Sequence, residues 1–248
     1  MDSWFFVAVG ALAQLVDGSL GMGFGMISST LLITIGTSAA VASASVHLAE
    51  IGTTLVSGFS HWKRNNVDFG LLKSLAIPGS IGAFIGANFL ASLDLTSAKN
   101  LMSVVLFGLG FFVLYKVRFA RNLAIPSNKV TTPLVGLLGG FVDAASGGGW
   151  GPITTPVLIS ATRHEPRKIV GTVSAAEFLV AISATFGFLL HFSKIGFDPV
   201  VVLGLALGGM VAAPFAAKLV SVVSGLWLGT AVGLGIILIN GIRLFGLL

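Results

Sequence analysis

Four carboxylates fall within or beside apolar runs of this sequence: Asp17, Glu50, Asp143 and Glu177. An acid in a hydrocarbon setting is costly and normally faces a protein interior or a water path. There it can bind a substrate, pass protons, or fix a packing contact by hydrogen bonding. The four form two related pairs. Asp17-Gly-Ser-Leu-Gly-Met-Gly-Phe-Gly25 aligns with Asp143-Ala-Ala-Ser-Gly-Gly-Gly-Trp-Gly151, and Ser45-Val-His-Leu-Ala-Glu50 with Thr172-Val-Ser-Ala-Ala-Glu177. Glu50 and Glu177 sit in the middle of long apolar runs, where proton coupling or gating is the functional reading. Asp17 and Asp143 precede Gly-rich turns, whose backbone donors are an equally good partner for them. His47 shares a helix face with Glu50 and can relay protons with it or ligate a metal. Ser174 replaces it in the second pair and no further ligands cluster nearby, so no metal is expected.

The Gly-rich stretches are the second feature with chemical content. Gly21, Gly23 and Gly25, like Gly147, Gly148, Gly149 and Gly151, admit backbone conformations that other residues resist. Each stretch precedes a short apolar run suited to a half-helix, whose free N–H groups and positive dipole end would face a cavity. Two such ends meeting in a membrane favour an anion with several oxygens. Ser19, Ser28, Ser29, Ser146, Thr154 and Thr155 can add hydroxyl donors, and Phe24 and Trp150 stand inside the breaks. Close packing of backbones is the competing reading of the same glycines. The Gly-x-Gly-x-Gly run is not a dinucleotide fingerprint, because neither a strand nor a βαβ pattern accompanies it.

These residues need apolar elements to hold them, and the composition supplies little else. The chain of 248 residues carries 14 Lys+Arg and 9 Asp+Glu, or 9% charged residues, with 55% hydrophobic residues and a mean hydropathy of +1.00. Soluble domains carry about 25% charged residues, so a soluble globule is excluded and a polytopic, all-α membrane protein is expected. The absence of cysteine excludes disulfides, thiolate catalysis and iron–sulfur clusters. The net charge of +5 sits in short links between apolar runs, a pattern of membrane orientation and not of nucleic-acid binding. Met1-Asp2-Ser3 has no basic n-region, so no cleaved signal peptide is expected.

The apolar runs are Trp4–Val16, Phe24–Gly36, Ser38–Ser60, Gly70–Ser92 and Ser97–Phe119. After a basic link come Thr132–Val142, Trp150–Ala161, Lys168–Phe192, Phe197–Ser221 and Leu226–Leu247. Short, short, long, long, long occurs twice. The expected organisation is a first repeat over 1–121, a basic cytoplasmic linker over 122–130 and a second repeat over 131–248, together one membrane domain. Gly79, Gly82 and Gly86 fall on Gly209, Ala212 and Ala216, a small-residue face suited to helix contact. If each pair of short runs is a re-entrant hairpin, a half has three full crossings and the halves are inverted. That model places the links bearing Lys63/Arg64, Lys116/Arg118/Arg121/Lys129 and Arg163/Arg167/Lys168 on one side, as the positive-inside rule requires. Arg243 alone fits it poorly. His61 and His191, at segment ends, read as interfacial anchors, as do Trp4 and Trp62; Pro78 and Pro214 should kink their helices.

The first Gly-rich run, the Glu50…Gly58-Phe-Ser-His61…Asn66-Val-Asp68 series and the Gly147-Gly-Gly-Trp-Gly-Pro152 counterpart together resemble the TauE/SafE sulfite exporter family over nearly the whole chain. The resemblance implies a multi-pass protein of the bacterial cytoplasmic membrane. It also implies transport of sulfite or a related small sulfur-containing anion, such as the organosulfonate sulfoacetate. The partners expected are that anion and the lipid bilayer, with a homodimer as an assembly such a chain admits, and without nucleic acid or cofactor. Two mechanisms fit: a secondary transporter coupled to protons through Glu50 and Glu177, and a passive channel for small oxyanions. Nothing in the sequence supports an enzyme.

Overall fold

The computed structural model describes residues 3–119, 131–162, 164–222 and 225–246. The linker expected at 122–130 lies outside them, as do Arg121, Lys129 and Arg163. The described residues form eleven α-helices and no strand. In the first half these are α1 (Ser3–Leu20), α2 (Phe24–Thr34), α3 (Ala39–Lys63), α4 (Phe69–Ser92) and α5 (Leu95–Phe119). In the second they are α6 (Thr131–Ser146), α7 (Trp150–Ala161), α8 (Pro166–Leu189), the single turn α9 (Phe192–Ile195), α10 (Pro199–Val222) and α11 (Gly225–Leu244).

Local chemistry sets the boundaries. Ser38 caps α3 by accepting the Val41 amide, and Asp68 caps α4 by accepting that of Leu71 at 2.8 Å. Pro166 opens α8 at the first helical position, where its missing N–H costs nothing. Gly21 and Gly147 adopt positive φ of 68° and 70°, and this left-handed turn ends α1 and α6. It also corrects the sequence expectation for the first run. The helix does not stop at Val16 but continues through Asp17 and Gly18 to Leu20, until the Gly21 amide closes on the Asp17 carbonyl.

At 18 residues α1 joins α3, α4, α5, α8, α10 and α11 as seven helices long and apolar enough to cross a membrane, where six were expected. Its counterpart α6 has 16 residues, and α2 and α7 have 11 and 12, about 16–18 Å each and far short of a ~30 Å hydrocarbon core. The chain is a multi-pass membrane protein. Trp4 and Trp62 lie exposed near helix ends, as anchors should, while α4 and α10 run through Pro78 and Pro214.

The halves interlock instead of folding side by side. α1 lies along α10 and α6 along α4, while α3 packs on α8 and α5 on α11. Small residues permit each approach. Gly82 and Gly86 lie against the Leu137 and Phe141 backbones, and Gly18 against Ala216. On the α3–α8 seam the Ser57 and Ser174 hydroxyls meet at 2.8 Å while His47 stacks near Phe188, so the two helices run antiparallel. The end of α3 and the start of α8 share one end of the molecule. There the Asp68 amide donates to Thr172 Oγ1 at 2.9 Å and the Asp68 carboxylate meets His164 at 3.5 Å. The Leu71 amide, helped by His164, holds the Asp68 carboxyl below the usual carboxylate range. The basic links at 63–64 and 164–168 are therefore neighbours, as one-sided placement requires.

Candidate functional site

The two Gly-rich breaks cross each other at the centre of this arrangement. A Cβ on Gly25 would lie 2.7 Å from the Gly147 carbonyl oxygen and 2.7 Å from Gly148 Cα. One on Gly151 would lie 2.7 Å from the Gly21 carbonyl oxygen. The backbones touch, and only glycine allows it. Two hydroxyls lock the crossing reciprocally: Ser29 donates to the Gly147 carbonyl at 2.6 Å, and its counterpart Thr155 to that of Gly21 at 3.2 Å. Close packing and helix-end exposure, the two readings of these glycines, thus apply to different faces of the same breaks.

The other face borders a small cavity lined by Gly23, Phe24, Gly25 and Met26 at the start of α2, and by Gly148 to Pro152 at the start of α7. All four carboxylates, Asp17, Glu50, Asp143 and Glu177, line it as well. Its water-accessible volume is about 10 Å³, room for about one water molecule. The sequence shows four acids 33, 93 and 34 positions apart in turn; the fold brings them to one point.

Around Asp143 the polar groups are tightly satisfied. Its Oδ1 accepts the Gly149 amide at 2.7 Å and the Trp150 amide at 3.0 Å, which caps α7. Its Oδ2 lies 3.2 Å from His47 Nε2. His47 Nδ1 points at the Ser43 carbonyl oxygen at 2.8 Å, which can only accept, so Nδ1 carries a hydrogen. Nε2 then faces Asp143 Oδ2 as the other end of the same ring. The Ser43 hydroxyl, donating to the Ala144 carbonyl at 2.7 Å, completes the shell. Glu50 is buried beside it with Oε2 unpartnered. Ligand atoms of His47, Glu50 and Asp143 all fall within 4.8 Å of one another. This spacing is short enough for one cation to contact all three. The sequence expected no metal because Ser174 replaces His47 in the second pair and no further ligands cluster nearby; Asp143, 96 positions from His47, joins it only in the fold.

Asp17 has a looser setting. Among the described residues its one acceptor bond, from the Phe24 amide, is 3.5 Å long. With Glu177 it borders a second cavity toward the α3 C-terminus, lined also by Gly18, Gly21, Ser57, His61, Val170, Val173 and Ser174. That cavity holds about 20 Å³ of water-accessible volume. His61, read from sequence as an interfacial anchor, turns its side chain into this space with Nδ1 unpartnered. His191 instead bonds Asn88 Oδ1 at 3.1 Å.

Of the sequence-derived candidates, Gly23, Phe24, Gly25, Gly148, Gly149, Trp150 and Gly151 line the central cavity with the four acids. The amides of Gly149 and Trp150 are engaged by Asp143, while those of Gly25, Met26 and Gly151 have no acceptor among the described residues. Gly21 borders the second cavity, and Gly147 and Ser29 hold the crossing. Thr154 bonds its own helix at the Trp150 carbonyl, and Ser28 is buried with its hydroxyl unpartnered; neither lines either cavity. His47 reaches the site only through Asp143. Sequence reading missed Ser43, His61 and Lys116, whose ammonium reaches Met22 Sδ, inside the first break, at 4.0 Å. For Lys116 the only signal was a basic residue in the last turn of an apolar helix, which reads equally as a topology marker.

The profile of a family described as sulfite exporter TauE/SafE matches residues 6–244. Probable membrane transporter protein YtnM of Bacillus subtilis (strain 168) is 47% identical over 240 residues, covering 95% of this chain and 80% of its own length. Probable membrane transporter protein YjnA of the same organism is 26% identical over 219 residues, covering 82% of this chain and 85% of its own. No solved structure matches.

Proposed function

This chain belongs to the TauE/SafE sulfite exporter family, and from that premise we propose that it moves sulfite or a related small sulfur-containing anion across the bacterial cytoplasmic membrane, coupled to protons. The observation that carries the reading is the convergence of two half-helix N-termini and four carboxylates on one cavity. The unengaged amides of Gly25, Met26 and Gly151 suit an oxyanion, since a helix N-terminus presents N–H groups and a positive dipole end. Four carboxylates at the same place repel it. Anion occupancy and carboxylate protonation are therefore linked: the site accepts negative charge as protons neutralise its acids. Glu50 and Glu177 are the residues we assign to that exchange, with His47 and Asp143 sharing a bridging proton and Asp17 beside Glu177.

The halves, 1–121 and 131–248, are read as inverted repeats. Support comes from the antiparallel α3–α8 seam, from the reciprocal Ser29 and Thr155 bonds, and from the neighbouring basic links. In such transporters the site lies at the repeat interface near the midplane and is reached alternately from each side. The near-closure of the central cavity favours this over the passive channel, whose path must stay open to both sides for fast flux.

Proteoliposomes loaded with sulfite test the reading. A pH gradient should drive flux in the parent protein, and Glu50→Gln together with Glu177→Gln should abolish the pH dependence. Unchanged pH-driven flux in both variants would end the proton assignment. Thermal shifts with sulfite, sulfate, thiosulfate, sulfoacetate and taurine test the substrate class, because a ligand stabilises only the state that binds it.

A further inference from the structure

We infer that Lys116 is an anion-binding residue, supplying the positive charge that draws a small oxyanion to the crossing of the two breaks. The inference rests on the anion reading above and adds to it a residue that composition and motif left among the topology markers. Lys116 projects from the last turn of α5, half-buried, and among the described residues its only polar contact is the Met22 thioether at 4.0 Å. A sulfur at that distance is a weak acceptor. Among the described residues no carboxylate, carbonyl or hydroxyl partners the ammonium, although withdrawing an ammonium from water without compensation is expensive.

The position of the contact is informative. Met22 lies between Gly21 and Gly23, and a Cβ on Gly151 would come within 2.9 Å of its Cα. The cation thus stands beside the point where the backbones touch. Among the described residues, no other Lys or Arg has a polar contact to either break. Arg243, a buried cation, reaches Thr34 at the far end of α2. Lys63 lies over the Phe59 ring at 4.6 Å, and Arg167 pairs with Glu165.

The chemistry fits the deficit in the central cavity. Amides alone must hold the anion against four carboxylates, and a point charge on a flexible stem offsets part of that repulsion while releasing the anion readily. The same charge at the end of α5 nearest the basic link raises the local anion concentration on that side. The competing account is a lysine stem that covers apolar surface and sends its ammonium toward the membrane face, with no part in binding. The two accounts differ in what a neutral side chain of similar length does.

The experiment measures anion counterflow and ligand-induced thermal shift in Lys116→Gln, Lys116→Met and Lys116→Arg, with sulfite and sulfoacetate as probes. Binding by Lys116 predicts KM raised about tenfold or more in Gln and Met with kcat changed less, near-parent KM in Arg, and unaltered unfolding temperature without ligand. KM within twofold of the parent in both neutral variants overturns the inference. If the neutral variants unfold, Lys116→Arg is compared across ionic strength: a parent-like salt dependence of KM supports a charge role, and a KM independent of salt in both proteins overturns it. A parent protein that binds neither probe refutes the anion reading itself, an outcome distinct from a parent that binds and a Lys116→Gln that binds equally well.

Discussion

Asp143 and Asp17 occupy matching places in the two halves and live in different surroundings. Asp143 is held by two amides and a histidine whose own far nitrogen is anchored on the Ser43 carbonyl. Asp17 has one long amide bond and a neighbouring cavity with room for water. The difference traces to single substitutions along the α3–α8 seam. Where the first half has His47, the second has Ser174, which turns away to Ser57. Where the first half has His61 bordering a cavity, the second has His191, which bonds Asn88 Oδ1 instead. In the repeat reading proposed above the scaffold occurs twice, and a few side chains make one side closed and bonded, the other polar and open.

The largest expected effect tests what the two regions share. Gly148→Ala should place a methyl on the Gly25 and Met26 backbones, forcing the breaks apart at a cost of about 3 kcal/mol or more and abolishing transport. Gly108→Ala, where a Cβ meets nothing within 4 Å, should stay within about 1 kcal/mol of the parent. Thermal unfolding in detergent reads both, and equal losses would remove the crossing from the explanation.

The next effect separates the regions. Asp143→Ala leaves two amides and a histidine without their acceptor and should cost about 3–5 kcal/mol, the scale of a broken buried pair. Asp17→Ala should cost about 1 kcal/mol, a single weak bond. A loss from Asp17→Ala as large as that from Asp143→Ala would break the comparison. Smaller again, His47→Ala should cost about 2 kcal/mol and Ser174→Ala about 1 kcal/mol, since the first removes a charge-assisted bond and the second one hydroxyl pair. Chemical denaturation of both variants beside the parent ranks them.

An effect as small as that of Ser174→Ala comes from a residue outside both regions. Asp68→Ala removes the α4 cap, for about 1 kcal/mol at neutral pH. The folded Asp68 carboxyl lies below its unfolded value, so its contribution is present above about pH 4 and fades as pH falls through the folded value. Parent and variant should therefore differ most at pH 7 and draw together as the pH falls below about 4. A constant difference across that range would exclude the carboxylate as the cause.

The apolar helices, the breaks and the four acids were legible because each rests on local pattern: apolar run length, glycine density, and charge where charge is costly. The end of α1 was not, because Asp17 and Gly18 look like a stop while the left-handed Gly21 is the stop. The Asp143–His47 bond, the His61 cavity and the Lys116–Met22 contact were also hidden. Each joins residues from elements that sequence spacing leaves unrelated, and only the interlocking of the halves brings them together.

Trp150 turns the site into its own optical probe. Its ring is fully buried against Gly79, with Nε1 donating to the Val173 carbonyl at 3.0 Å, whereas Trp4, Trp62 and Trp227 are 79%, 53% and 75% exposed. Quenchers carried by lipid or water should darken those three and spare the fourth. The emission that survives comes from an indole on the first residue of α7, beside the cavity, and should report an arriving anion by colour, without any label.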